Sequence, residues 1–95
     1  MNYIELIESI YNRPKFFLRD KNIYELGAFL RGVSYANFAQ KNEKDMFRTF
    51  TDEWIPKTFK NRSHDWIETI VQHDEKNDPF LYFFILWEDF LKYYE

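Results

Sequence analysis

Phe80 to Trp87 is an unbroken run of eight apolar residues, and it constrains this chain more than any other segment. Asp78 and Pro79 stand directly ahead of it. A carboxylate can accept the free N–H groups of a first helical turn, and proline's fixed φ suits the first helical position. The segment therefore predicts a helix from Pro79 to about Tyr94. A helix that is apolar on nearly every side must be covered on nearly every side. The run is far short of the roughly 20 residues that cross a bilayer, so the cover has to come from the rest of the chain. Glu88, Asp89, Lys92 and Glu95 let the last turns reach water.

The remaining sequence supplies that cover as further helices. Ile4, Leu6, Ile7, Ile10 and Tyr11 recur at helical spacing, which predicts a helix from about Asn2 to Tyr11. It stops ahead of Pro14, because the residue before a proline is pushed out of the α region. Pro14 to Lys21 is expected to be irregular or a single turn, with Phe16, Phe17 and Leu18 tucked inward. Asn22 followed by Glu25 has the form of a capping box. Ile23, Leu26, Leu30 and Val33 then make the stripe of a second long helix. Gly27, Ala28, Gly32, Ser34, Ala36 and Ala39 lie on that helix and point to a close helix crossing. Asn42–Asp45 interrupts the apolar pattern. Met46, Phe47, Phe50, Trp54 and Ile55 mark a third helix that ends or kinks before Pro56. Ser63 is the expected cap of a fourth, with Trp66, Ile67, Ile70 and Val71 on its buried face.

These elements predict one all-α domain over residues 1–95, a five-helix bundle packed around the C-terminal helix. A chain of 95 residues buries only a little over about 60% of its unfolded surface, so it needs a dense core. Aromatic residues, 22% of the chain, provide one, since each large ring buries roughly 150–250 Å². Two Gly and three Pro are too few for the closely spaced turns of a sandwich or barrel. Without cysteine, neither disulfides nor thiolate metal sites can form. The opening residues carry Glu5 and Glu8 where a secretory leader would be basic and then apolar. The expected location is cytoplasmic.

Catalytic equipment is sparse. His64-Asp65 and His73-Asp74 are the pairs that could join a general base to an orienting carboxylate. Neighbours on a helix sit about 100° apart and do not face each other, so ordinary helix-end roles explain them better. His73, Asp74 and Asp78 match no standard metal-binding loop. The sequence shows neither a glycine-rich phosphate loop nor a His-Glu-x-x-His pattern. It is expected to bind rather than catalyse, with no cofactor and no metal.

Charge indicates what kind of partner. Residues 1–47 hold seven Lys/Arg against six Asp/Glu, and residues 48–95 hold six against ten. The acids Asp52, Glu53, Asp65, Glu68, Asp74, Glu75 and Asp78 all fall in the third helix, around the fourth, and in the loop after it. Brought together, they would form an acidic face suited to a basic protein, with carboxylates standing in for phosphates and long-range charge speeding association. The same balance disfavours nucleic acid as the main partner, and no membrane partner is expected. The alternative is a small RNA-binding or regulatory module that uses Arg13, Lys15, Arg19 and Lys21 around Phe16 and Phe17, since basic residues beside aromatics can grip a single strand.

The string Ile10-Tyr11-Asn12-Arg13-Pro14-Lys15-Phe16-Phe17-Leu18, followed by Leu26-Gly27-Ala28-Phe29-Leu30-Arg31-Gly32-Val33, resembles a family of small all-helical bacterial proteins. So do the pair Phe50 and Trp54, the later Trp66, and the closing Phe-rich helix from Phe80 to Phe90. The family comprises immunity proteins of polymorphic toxin systems, including contact-dependent growth inhibition. Val33 departs from its pattern, which usually has an aromatic after the glycine. The resemblance implies an inhibitor that binds the catalytic domain of a cognate toxin, such as an EndoU-type ribonuclease, and blocks its cleft. The motif residues are framework, so the binding surface is expected among the charged residues between them.

Overall fold

Asn2 starts the first helix, its side chain accepting the backbone N–H of Glu5 at 2.9 Å. The helix, α1 (Tyr3–Asn12), ends where Arg13 leaves the α region ahead of Pro14. The computed structural model describes residues 2–41, 45–62 and 65–94, with residues 37–41 described by their backbone alone. The expected roles of Ala39, Asn42, Ser63, His64 and Glu95 therefore lie outside the description.

Pro14 begins the single turn α2 (Pro14–Phe17). Leu18 is buried and Phe17 packs edge-on against Phe29, but Phe16 stays 79% exposed. One turn cannot direct three successive side chains inward. Phe17 and Leu18 take the inner side, and Phe16 is left outside. The long helix α3 (Ile23–Lys41) follows. Asn22 caps it as expected, accepting from the N–H of Tyr24 and Glu25. Glu25 does not close the capping box. Its two carboxylate oxygens instead accept the N–H groups of Arg19 and Asp20 at 2.7 and 2.9 Å, fastening the incoming loop.

Asp45 does more than separate elements. Its Oδ1 accepts the N–H groups of Phe47 and Arg48, capping α4 (Met46–Thr49). Its Oδ2 accepts the hydroxyls of Tyr3 on α1 and Ser34 on α3 at 2.9 and 2.7 Å. One buried carboxylate thus joins three helices with all its bonds satisfied, the condition under which burying a charge is tolerable.

The chain continues from α4 through a π-helical stretch, Phe50–Trp54, into α5 (Ile55–Phe59). The helix does not stop at Pro56. In regular α geometry the proline ring would crowd the carbonyl of Asp52 and could donate no hydrogen bond to it. The wider turn shifts the ladder just before the proline, with the Ile55 N–H donating to the Phe50 carbonyl. Lys60 then takes a left-handed conformation, φ 54°, and the N–H of Asn61 returns to the Pro56 carbonyl, ending the helix in a Schellman-type turn.

Asp65 caps α6 (Trp66–His73) by accepting the N–H of Glu68. The last helix, α7 (Pro79–Tyr94), begins as predicted, with Asp78 accepting the N–H of Leu81. Phe83, Phe84, Leu86, Trp87 and Phe90 of α7 are buried against α3, the π-helical stretch and α6. Within the Phe80–Trp87 run, Leu81 and Ile85 are the exceptions, 40% and 48% exposed. The described residues are all-α, five longer helices and one single turn, and contain no strand. The radius of gyration, 12.9 Å, is close to the value of about 13 Å for a compact chain of roughly 100 residues. Among the described residues no helix is long and apolar enough to cross a membrane.

The small residues of α3 have separate roles. A Cβ added to Gly27 would lie 2.6 Å from Ile67 Cδ1 and 3.2 Å from Trp66 Cζ2, so this is where α6 crosses closely. Gly32 has nothing within 4 Å, and Ala28 and Ala36 also face outward. Gly32→Ala should therefore raise stability by about 0.5–1 kcal/mol through helix propensity alone. Gly27→Leu should lower it by about 1–3 kcal/mol through overpacking. Urea unfolding of the two variants checks both signs, and equal effects would remove the close-crossing account.

Candidate functional site

A groove of about 620 Å³ lies between α3, the α4-to-α5 helix and the start of α6. Asp52 and Asp65 line it from opposite sides, together with Arg31, Arg48, Tyr35 and Trp66. Trp66 forms part of its floor, held edge-on by Phe47 at 5.6 Å between ring centroids. Opposite charges meet in the groove. Arg48 Nε lies 3.7 Å from Asp52 Oδ2 with both side chains more than half exposed, an arrangement worth little in water.

Glu68 extends this face along α6. It accepts the phenol of Tyr24, on the first turn of α3, at 3.1 Å. That bond, more than any other cause, raises the Tyr24 pKa above the ordinary tyrosine value. Partial burial and the charges of Glu68 and Asp65 add to it. Tyr24 is 53% exposed and Tyr35 79% exposed. Two solvent-facing tyrosines therefore stand beside three carboxylates on a helical scaffold.

The other predicted acids sit elsewhere. Glu53 is exposed on the π-helical stretch but does not line the groove. Asp74 accepts the N–H groups of Lys76 and Asp78, so its carboxylate shapes the α6–α7 loop. Asp74 and Glu75 also act on Tyr82, whose pKa is raised first by burial and then by the charges of Asp74, Glu75 and Asp89. Asp78 caps α7 and lines a different cleft with Tyr11, Pro14 and Lys21. The structure thus brings Asp52, Asp65 and Glu68 together, places Asp74 and Glu75 beside Tyr82, and sets Asp78 apart.

His73 has a defined local role. Its ring packs on Phe59 at 4.5 Å, and its Nδ1 lies 2.9 Å from the Thr69 carbonyl. A carbonyl can only accept, so Nδ1 carries the proton. The adjacent Asp74 is bonded to the loop backbone instead and does not orient the imidazole. Among the described residues no three His, Asp or Glu side chains converge to hold a metal ion. Of the basic segment, Lys15 donates to the Arg19 carbonyl at 2.9 Å and lies 3.7 Å from Asp20. Arg13 and Phe16 share a small surface cleft with Phe17.

The acids of this face stood out in the sequence, whereas Tyr24 and Tyr35 did not. Both lie off the apolar stripe of α3, and that position was the available signal for outward-facing aromatic side chains. Comparison with protein-family models, curated proteins and solved structures finds no match.

The raised Tyr24 pKa has a testable cause. The neutral phenol is the favoured form in the folded chain, so its contribution to stability is present at neutral pH. It is lost as pH rises through the shifted pKa. In an alkaline titration followed by NMR of ring-labelled tyrosine, Tyr24 should ionise later than an exposed tyrosine. Glu68→Gln should bring it back toward the ordinary range. An unmoved titration would show that the bond to Glu68 does not set it.

Proposed function

We propose that this chain is an immunity protein that binds a cognate toxin domain, a nuclease such as an EndoU-type ribonuclease, and blocks its active cleft. The observation that carries the reading is the face on which Tyr24 and Tyr35 flank Asp52, Asp65 and Glu68 beside the α3–α6 groove. The class of partner rests on the resemblance of the framework motifs to immunity proteins. A nuclease cleft is basic because it must hold phosphates, and fixed carboxylates can occupy the same positions. Exposed tyrosines supply contact area with little rotamer entropy to lose. Arg31 and Arg48 in the groove would meet acidic groups at the edge of such a cleft and add specificity of register. The role requires binding and no chemistry from this chain.

The acids that cap helices are poor probes of binding, because replacing them also perturbs the fold. Asp52→Lys with Glu68→Lys is the cleaner pair, both lying on the proposed face and neither a helix cap. Against a toxin nuclease domain encoded next to this gene, the double variant should slow association at least tenfold at low salt. It should leave dissociation nearly unchanged. Unchanged association rates would eliminate the acidic face as the docking surface. Failure of the unmodified chain to bind or inhibit that domain would eliminate the immunity reading itself.

A second reading, a small RNA-binding or regulatory module, draws support from Phe16, which is 79% exposed, follows Lys15 and shares a cleft with Arg13. Single-stranded RNA grips aromatic faces and basic side chains together. Filter binding of a generic RNA at two salt concentrations tests it. Micromolar, salt-sensitive binding that Phe16→Ala abolishes would favour this module, and no binding would dismiss it.

A further inference from the structure

A second concavity lies on elements that the α3–α6 groove does not use. Between α1 and α7 runs a groove of about 250 Å³, floored by Ile7, Phe84, Trp87 and Leu91. Ile4, Glu8 and Tyr11 form one wall, spaced at three and four residues along α1. Leu81, Ile85 and Glu88 form the other with the same spacing along α7. Tyr11 braces the two helices through an edge contact with Phe84 at 5.2 Å. Ile4, Tyr11, Leu81 and Ile85 are all substantially exposed although the sequence could have placed them in the core. Two ridges separated by an apolar floor are the receiving half of a helix-in-groove contact, which reads an apolar ridge at positions i, i+3, i+4 and i+7.

Charge selects the occupant. The lining carries Glu8 on one wall and Glu88 on the other, and no basic side chain. In a two-fold dimer the same patch faces itself, so a second copy of this chain would set these carboxylates against carboxylates. That arrangement is disfavoured when they are desolvated. We propose that the α1–α7 groove docks an amphipathic helix of a protein partner, one whose apolar ridge is bordered by Lys or Arg residues placed to meet Glu8 and Glu88. The site is independent of the toxin-binding reading, since none of its residues lines the α3–α6 groove.

The full chain can be titrated with a fluorescent peptide of Leu-Lys-Lys-Leu repeats long enough for about four helical turns, and with its Leu-Glu-Glu-Leu counterpart. Anisotropy should report micromolar binding of the lysine peptide and at least tenfold weaker binding of the glutamate peptide. Backbone amide shifts should concentrate on α1 and α7. Ile85→Asp, at an exposed position, should weaken the lysine peptide at least tenfold with the thermal midpoint nearly unchanged. So should Glu8→Lys with Glu88→Lys. Asp52→Lys with Glu75→Lys alters net charge by the same amount and should leave peptide binding intact. Equal losses in both double variants would reduce the effect to overall charge and overturn the proposal. So would equal affinity for the two peptides. A concentration-dependent doubling of mass that Ile85→Asp abolishes would assign the groove to a second copy instead.

Discussion

Phe50 is the side chain on which the packing depends. It is fully buried, with the rings of Phe47, Trp54, Phe83, Trp87 and Phe90 within 5.2–6.4 Å of its own. Most of these pairs meet edge-on or tilted, the geometries that the ring quadrupole favours. Removing such a ring from a closed site typically costs about 3–5 kcal/mol, a large share of the roughly 5–15 kcal/mol that holds a small domain together. Phe50 also opens the π-helical stretch, so the residue that anchors α7 sits where the helix widens to admit Pro56. Backbone irregularity and core packing meet at one position.

Asp45 complements that apolar centre. A buried carboxylate is unfavourable unless its bonds are made, and here Tyr3, Ser34 and two backbone N–H groups make them. Because the donors come from three helices, the carboxylate fixes how α1, α3 and α4 meet. Apolar contacts alone tolerate many near-equivalent packings, and directional bonds reduce that freedom. The framework is held from both sides, by rings around Phe50 and by hydrogen bonds at Asp45. Surface features such as the two grooves can then keep their shape.

The acids illustrate why a charge pattern on paper is a loose guide to a binding surface. Seven carboxylates fall within one stretch of sequence, yet Asp65, Asp74 and Asp78 are occupied by helix ends and the α6–α7 loop. Asp and Asn are common at such places because their side chains can accept orphan N–H groups. The same chemistry that makes an acid attractive to a basic partner makes it useful to its own backbone. Asp52 and Glu68 are less tied to the backbone. The crossing of α3 with α6 at Gly27 sets Glu68 near Tyr24, and the packing of α4 on α3 sets Asp52 in the groove that Tyr35 also lines.

The all-α class, the helix starts at Asn2, Asn22 and Asp78, and the apolar stripe of α3 were legible in the sequence. Each depends on residues within a few positions of one another, and local spacing determines them. Tertiary structure alone decided the rest. Glu25 abandoned its capping box because the loop at Arg19 and Asp20 offered two N–H groups. Asp45 became a junction because Tyr3 and Ser34, far apart along the chain, arrive beside it. Phe16, Leu81 and Ile85 remained exposed because the inward positions on their helices were already filled. The closing apolar helix dictated that other helices must cover it. Which edge stayed uncovered was settled by where α1 came to rest.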